Sequence, residues 1–536
     1  MSTAEQASSG PTAAELEGAA GRSPGGPRPG ADGSRWLLAL AGALAGAAGV
    51  ALSEATAQAL RVDIGPIEGV ASAVRDLTPG PIALFLVHLV GTLDKPLLLL
   101  GTALILLGIC AYAASWVRRF PLLPDVVFFV LGAIGLVAVL RLPSPGLGAG
   151  LAIVVGLITW IVTLRALTAP LLRETHPDEP RSDAATRREF LIRSAWLVGV
   201  VAVLTIGGRA AGSARRQVEQ ARRLLRLPVR SGRVPAGAAL DVEGLSPWRT
   251  PNRDFYVIHT ALAPPSVKPE EWSLRIHGMV DQEVTIDYEG LISRELTEDW
   301  LTLCCVSNRV GGDLIGNAWW SGVLVRDLLA EAGVQPGADA VKQTSRDGWT
   351  CGTPLVALTD ERNAMLAVAM NGEPLPVEHG FPVRMVVPGL YGYVSATKWL
   401  EDLEVTRFDA FDSFWTERGW SERGPIKTQS RVEVPRNGAK VRAGKVTLAG
   451  TAWAQHTGIA KVEYQLDGLP WREAELGRVP HLDTWVQWTA EEEVGPGEHR
   501  VTVRATDRSG YTQTAVRTDV VPDGATGWHS HPFDAE

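Results

Sequence analysis

The run Leu301-Thr-Leu-Cys-Cys-Val-Ser-Asn-Arg-Val-Gly-Gly312 decides how this chain is read. An apolar strand runs into polar and glycine residues of the kind that form a loop, and Cys304 and Cys305 stand at the junction. A buried cysteine is ordinarily a small hydrophobe. At the end of a strand it is also where a scaffold presents a thiolate, and thiolates suit soft, redox-active metals. Zinc fits poorly, because no Cys-x-x-Cys and no His pair at ligand spacing accompanies the run. Consecutive side chains of a strand face opposite ways, so one cysteine is expected in the core and the other at the site.

Around this run, residues 250–410 mix short strands and helices without a repeated βαβ spacing, which predicts an α+β domain. Trp272–Gly278 alternates as a strand does, Val323–Ala332 reads as a helix ended near Gly333, and Val383–Val387 reads as a buried strand. Downstream, 421–522 is a succession of short alternating runs (Val446–Gly450, Ile459–Leu466, Thr484–Trp488, His499–Thr506) separated by turns. That pattern predicts an all-β immunoglobulin-like sandwich, with Trp471, Trp485 and Trp488 in its core or at an interface. The last residues, 523–536, read as an unstructured tail, although His529 and His531 at a period of two are also the spacing of a weak transition-metal site.

Upstream the character changes. The 536 residues carry 51 Lys+Arg and 59 Asp+Glu, a net charge of -8, and no basic face of the size nucleic acid requires. Four cysteines are too few for a disulfide scaffold. Nearly all long apolar runs fall before residue 210. Residues 1–34, rich in Gly, Ala, Ser and Pro, predict a disordered tail, and 35–212 an all-α transmembrane region of about five helices: 36–60, 97–117, 122–142, 147–167 and 195–208. Pro81–Leu93 is too short to span, and His88, Asp94 and Lys95 beside it read as an interfacial cluster. Thr186-Arg187-Arg188-Glu189-Phe190-Leu191 has the form of a twin-arginine export motif. Arg118, Arg119, Arg165, Arg173, Arg181, Arg187, Arg188 and Arg193 fall on one side of such a bundle, against Arg61, Arg75, Lys95 and Arg141 on the other. The basic side is therefore cytoplasmic, and everything after the fifth helix lies outside the plasma membrane. The linker 213–249 is basic, and Ala214, Val218, Ala221 and Leu225 at helical spacing predict either an amphipathic helix on the membrane surface or a solvated linker.

Several motifs in a fixed order carry a resemblance: Cys305-Val-Ser-Asn308, Trp320-Ser-Gly-Val, Ser345-Arg-Asp-Gly348, Met370-Asn-Gly-Glu-Pro-Leu375, His379-Gly-Phe-Pro-Val-Arg384, Val387-Pro-Gly389 and Lys398-Trp399. With these, 250–408 resembles the molybdopterin-binding domain of the sulfite oxidase family, and 421–522 resembles the domain that follows it there. The resemblance implies a molybdenum cofactor-dependent oxidoreductase. It makes Cys305 the molybdenum ligand and catalytic residue, with Cys304 its core-facing neighbour. It implies that His379, Arg384 and Lys398 contact the pterin or its phosphate, that Tyr256 and His259 lie on the segment entering the site, and that Asn308 fixes the loop behind the ligand. Arg384, Lys398, Tyr256, His259 and Asn308 each also have a plain structural reading.

The departures bear on substrate. Ile258 stands where relatives carry an anion-binding Arg, Val310 where they carry a second basic residue, and Val368 where they carry an active-site Tyr. A dianion such as sulfite is costly to desolvate in an apolar pocket. A neutral sulfoxide, N-oxide or small organic molecule is therefore expected. A sulfite dehydrogenase with a rearranged anion site, using Arg309 or Arg253, and a non-catalytic membrane protein that retains the scaffold are the alternatives. No facing histidine pair for a membrane haem and no Cys-x-x-Cys-His is present, so no haem is expected and electrons pass to or from a separate carrier protein or quinone-linked subunit. The sandwich is also where relatives form a homodimer.

Overall fold

The computed structural model describes residues 31–536 apart from 61, 63–64, 80–81, 83–85, 87–89, 91–92, 142–146, 173–182 and 212–213. Most of the expected tail, His88, Arg61, Arg173, Arg181 and most of Pro81–Leu93 lie outside the described residues. Residues 31–34 of the expected tail belong to the first helix.

The N-terminal region is helical: α1 (Ala31–Ala59), α2 (Pro66–Leu77), α3 (Asp94–Ser115), α4 (Leu123–Leu140), α5 (Leu147–Leu172) and α6 (Asp183–Ala211). Of these, α1, α3, α4 and α5 are long and apolar enough to cross a membrane. Small residues let α1 sit at the centre: a Cβ on Gly42 would collide with the Cys110 carbonyl of α3, and the Trp160 indole of α5 donates to the Gly46 carbonyl at 3.0 Å. The short apolar stretch 195–208 is only part of α6, whose 29 residues measure roughly 43 Å at 1.5 Å per residue. Its first turns carry Arg187, Arg188 and Arg193, and Arg193 donates to the Ala166 carbonyl of α5. Arg118 donates to the Leu171 carbonyl, so these basic residues gather at one end of the bundle. Helix α2, short and amphipathic, has no counterpart in the sequence reading.

The basic linker forms α7 (Ala214–Leu224), but its apolar stripe does not face a membrane surface. Val218 is fully buried against Leu301, Trp320 and Phe381 of the next domain. The amphipathic pattern is there because the helix docks on protein, which corrects both expectations for this segment.

The middle region holds two sheets. In the first, β1 (Ser273–Gly278) lies between β2 (Val284–Asp287) and β10 (Leu400–Thr406), followed by β5 (Ala340–Ser345) and β6 (Thr350–Pro354). Only the β1–β10 pair is parallel. The second sheet runs β3 (Thr297–Cys304), β4 (Ile315–Leu324), β7 (Met365–Met370), β8 (Glu373–Pro374), with β9 (Arg384–Val386) also paired to β7. Helix Val325–Ala332 ends on Gly333 as expected.

The C-terminal region is two sheets enclosing one core of Leu448, Trp488, Val501, Val503 and Phe533. Trp485 and Trp488 are buried, and Trp485 joins the core of the middle region and donates to the Trp248 carbonyl at 2.9 Å. Trp471 is instead partly exposed and lies edge-on to Trp528 at 4.9 Å. The tail reading is overturned: His529–Ala535 is a strand antiparallel to Gly497–Asp507. His529 accepts from the Val432 amide at 3.0 Å and His531 bonds the Pro435 carbonyl at 2.8 Å, so both imidazoles are engaged structurally.

Burial, with the charges of His531 and Arg431, holds His529 down at about 4, and burial also lowers His531. A base whose native pKa is depressed binds protons mainly when unfolded, so stability falls as pH drops below about 6.5. The melting temperature is expected to fall between pH 7.5 and pH 5 by at least about 2–4 °C, and His529→Gln to shrink that fall; an unchanged pH dependence in the variant contradicts the assignment.

Candidate functional site

Cys305 begins the loop that joins β3 to β4. Cys304, the last residue of β3, pairs with Ile315, and the Cys305 amide donates to the Leu314 carbonyl at 2.9 Å. Asn308 pins this loop from within. Its side-chain oxygen accepts the Leu314 amide at 3.0 Å, and its Nδ2 lies 3.7 Å from Cys304 Sγ. The outer edge of β3, which would otherwise present unpaired backbone groups, is covered by the C-terminal sheets. The Thr302 amide donates to the Asp483 carbonyl at 2.9 Å, and Arg431 donates to the Gly312 carbonyl at 2.7 Å. The loop bearing Cys305 is therefore braced from two domains.

The two cysteines separate as strand geometry requires. Cys304 packs into the main core, while Cys305, also buried, does not. Cys110 and Cys351 are buried elsewhere, the latter 3.3 Å from the Thr397 hydroxyl. Burial pushes the Cys305 thiol up, with Ser307 hydrogen bonds and the Lys398 charge pulling the other way. Burial likewise pushes up the Tyr256 phenol, which feels Cys305, Cys304 and Arg384. These residues therefore share one neighbourhood.

Around them sit the expected partners. Phe255 stacks on Tyr256 (centroids 5.2 Å) and meets the edges of Trp320 (5.8 Å) and His379 (5.6 Å). The Arg384 guanidinium lies 5.2 Å over Trp320 and the Lys398 ammonium 5.8 Å from Trp399. Arg384 is 4% exposed and Lys398 9%. Among the described residues their hydrogen bonds run to backbone carbonyls: Arg384 to His379 and Ala396, Lys398 to Glu378 at 2.9 Å. Burial lowers Arg384 to about 10, and burial with the Arg384 charge lowers Lys398 well below its usual range. Two buried cations without a carboxylate at hydrogen-bond distance make an anion site.

His379 completes the wall. Its Nε2 must donate to the Asn252 carbonyl at 3.0 Å, because a carbonyl only accepts, and that leaves Nδ1 as a buried acceptor with no partner. Burial, then the Lys398 and Arg384 charges, hold this imidazole neutral, at about 3. His259 is further out, edge-on to Trp399 at 5.6 Å, and bonded to Lys95 of α3. Sequence reading placed Lys95 in an interfacial cluster and missed its contact with this segment; its only signal is a charged pair, Asp94-Lys95, opening a helix otherwise without charge.

Of the departures, Val368 lies fully buried in the core strand β7, Val310 packs partly buried against the main core, and Ile258 is 47% exposed. The Arg253 side chain is 86% exposed and pairs with Asp254.

Residues 261–415 match the oxidoreductase molybdopterin binding domain. Over 194 residues the chain is 34% identical to YuiH of Bacillus subtilis (strain 168), an uncharacterized oxidoreductase, covering 36% of this chain and 89% of that one. Over 302 residues it is 29% identical to the mitochondrial sulfite oxidase of Drosophila melanogaster, covering 47% of this chain and 52% of that one. The chain thus spans about half the length of the animal sulfite oxidases it matches. Among solved structures, the sulfane dehydrogenase SoxCD of Paracoccus pantotrophus aligns at 22% identity with a TM-score of 0.48, over 55% of this chain and 85% of that one.

One position tests how the cations are placed. Gly380 has φ +107°, and a Cβ there would lie 3.0 Å from the Cβ atoms of both Arg384 and Lys398. Gly380→Ala is expected to cost about 1–3 kcal/mol in thermal or denaturant unfolding; a neutral substitution would contradict this packing.

Proposed function

Because the chain belongs to the sulfite oxidase family of molybdopterin-binding oxidoreductases, we propose that its middle domain is the catalytic unit of a membrane-anchored, extracytoplasmic enzyme that transfers oxygen to or from a small neutral substrate. The observation that carries the cofactor assignment is the buried pair Arg384 and Lys398, with no carboxylate at hydrogen-bond distance among the described residues, and the orphaned His379 Nδ1. An anionic phosphate satisfies the two cations, and the N–H edge of a pterin satisfies the acceptor. The residues present therefore fit the group. When bound, the molybdenum cofactor supplies two-electron redox chemistry for oxygen-atom transfer.

The protein's own work is placement. Cys305 offers its thiolate to the metal from a loop that Asn308 and Arg431 hold still. Arg384 and Lys398 grip the phosphate, and His379 orients the pterin. Burial keeps the Tyr256 phenol protonated, within range of the Cys305 charge. Apolar Ile258, Val310 and Val368 stand where relatives carry an Arg, a basic residue and a Tyr, which supports a neutral sulfoxide or N-oxide over a sulfite dianion.

The placement of the membrane segments supports the outside location. The middle domain meets the bundle at Arg75 and Lys95, whereas Arg118, Arg165 and Arg193 sit with the twin-arginine run at the other end. With the basic end cytoplasmic, the catalytic domain is outside, and a separate carrier protein or a quinone-linked subunit supplies the two electrons that sulfoxide or N-oxide reduction consumes, or takes them up when oxygen is transferred to the substrate. The C-terminal region is then the family's immunoglobulin-like domain, and the surface through which two copies pair.

An activity panel run with a reduced viologen as electron donor for sulfoxides and N-oxides, and with an oxidised dye as electron acceptor for sulfite, tests this reading. Sulfoxides or N-oxides are expected to be turned over at least about 10-fold more efficiently than sulfite, an advantage of about 1.4 kcal/mol or more in the transition state. Cys305→Ser should abolish turnover with the fold intact, and Cys304→Ser should retain it. Preferred turnover of sulfite overturns the substrate assignment, and an active Cys305→Ser enzyme overturns the ligand assignment.

A further inference from the structure

Beyond Tyr256 the chain leaves the site and is gripped by side chains of the helical bundle. Lys95 Nζ, in the first turn of α3, donates to the carbonyls of His259 and Ala261, each at 2.8 Å, and lies 3.1 Å from His259 Nδ1. Arg75, in the last turn of α2, donates to the Thr260 carbonyl at 2.5 Å. Glu68, in the first turn of α2, accepts the Ala263 amide at 2.8 Å. Arg418 closes the same junction, 3.8 Å from Asp76 and 3.8 Å over the Phe414 ring, which Arg75 approaches at 5.6 Å.

The backbone of His259, Thr260, Ala261 and Ala263 is thus tied by charged side chains to helices α2 and α3, across more than 160 residues of sequence. The segment has no strand partner to hold it. Charge-assisted hydrogen bonds to backbone are the stronger kind, and the segment is held by three of them, from Lys95 and Arg75, with the Glu68 bond as a fourth tie. At its near end the segment carries Tyr256, stacked on the Phe255 ring that meets Trp320 and His379 edge-on, and His259 meets Trp399, the neighbour of Lys398. The Lys95 charge reaches the site itself, adding to burial and Arg384 in pushing Lys398 down.

We propose that the membrane bundle is a working part of the cofactor site: Lys95 and Arg75 are positioning residues that hold the Tyr256–Ala263 segment against the molybdopterin pocket, so that cofactor retention depends on α2 and α3. The proposal rests on the molybdopterin reading of the pocket. It gives the bundle a task in the chemistry beyond anchoring, and it makes the orientation of the catalytic domain on the membrane a condition of its activity.

The test uses full-length protein in detergent or nanodiscs, as wild type, Lys95→Met, Lys95→Arg, Arg75→Met and the distant control Lys445→Met. Amide hydrogen exchange is read across 257–263, and molybdenum loss is followed over time, with the Mo(V) resonance of the retained fraction. Lys95→Met is expected to speed exchange of the segment about 10-fold or more, to speed cofactor loss by a comparable factor, and to alter the Mo(V) signal. Lys95→Arg should recover part of each effect, and Lys445→Met should match wild type. Exchange or cofactor loss within twofold of wild type in Lys95→Met overturns the proposal, and where that variant does not fold, Arg75→Met is read by the same two criteria. Wild-type protein without molybdenum removes the molybdopterin reading instead, and the exchange rates alone then decide whether the bundle holds the segment.

Discussion

Two positive charges, Arg384 and Lys398, are buried side by side with backbone carbonyls as their hydrogen-bond partners. Desolvating one cation costs several kcal/mol, and the Arg384 charge acts on Lys398 besides. Such a pair persists only when the surrounding packing is over-determined and an anion is due to arrive. Much of the middle domain can be understood from this constraint. Gly380 lets the chain turn where the two side chains converge, Trp320 and Trp399 lend their ring faces to the cations, and His379, held neutral by burial and by both charges, adds no third charge.

The same constraint explains why the site is braced from outside its own sheets. A pocket held together partly by its ligand needs a rigid frame. The C-terminal sheets supply one side by covering the edge of β3 and holding Gly312 through Arg431. The helical bundle supplies another through Lys95, Arg75 and Glu68. The main core, running from Trp272 and Leu403 to Trp453 and Trp485, joins the middle and C-terminal regions without a break.

What the sequence made legible was local. Cys304-Cys305 before Ser307-Asn308, and the residues His379, Arg384 and Lys398, sit in short motifs whose order carries the family pattern, and the structure brings them to one place. The long apolar runs marked α1, α3, α4 and α5 because a bilayer demands length and composition that nothing else demands. What stayed hidden depended on partners far along the chain. The stripe of α7 shows that one face is covered but not by what, and Val218 turns out to meet Leu301 and Trp320. His529–Ala535 has few β-branched residues, and it becomes a strand because Gly497–Asp507 offers it a ladder. Lys95 sits at a helix start, where a charge is unremarkable by sequence, and its grip on His259 lies 164 residues away.

The central claim is that this cationic pocket holds a molybdenum cofactor through Cys305. Molybdenum content per chain, by elemental mass spectrometry on full-length protein from a host that makes the cofactor, tests it most directly. The account predicts about one molybdenum per chain in the wild type, matching the single thiolate the pocket presents. Wild-type protein that is folded and consistently free of molybdenum would contradict it.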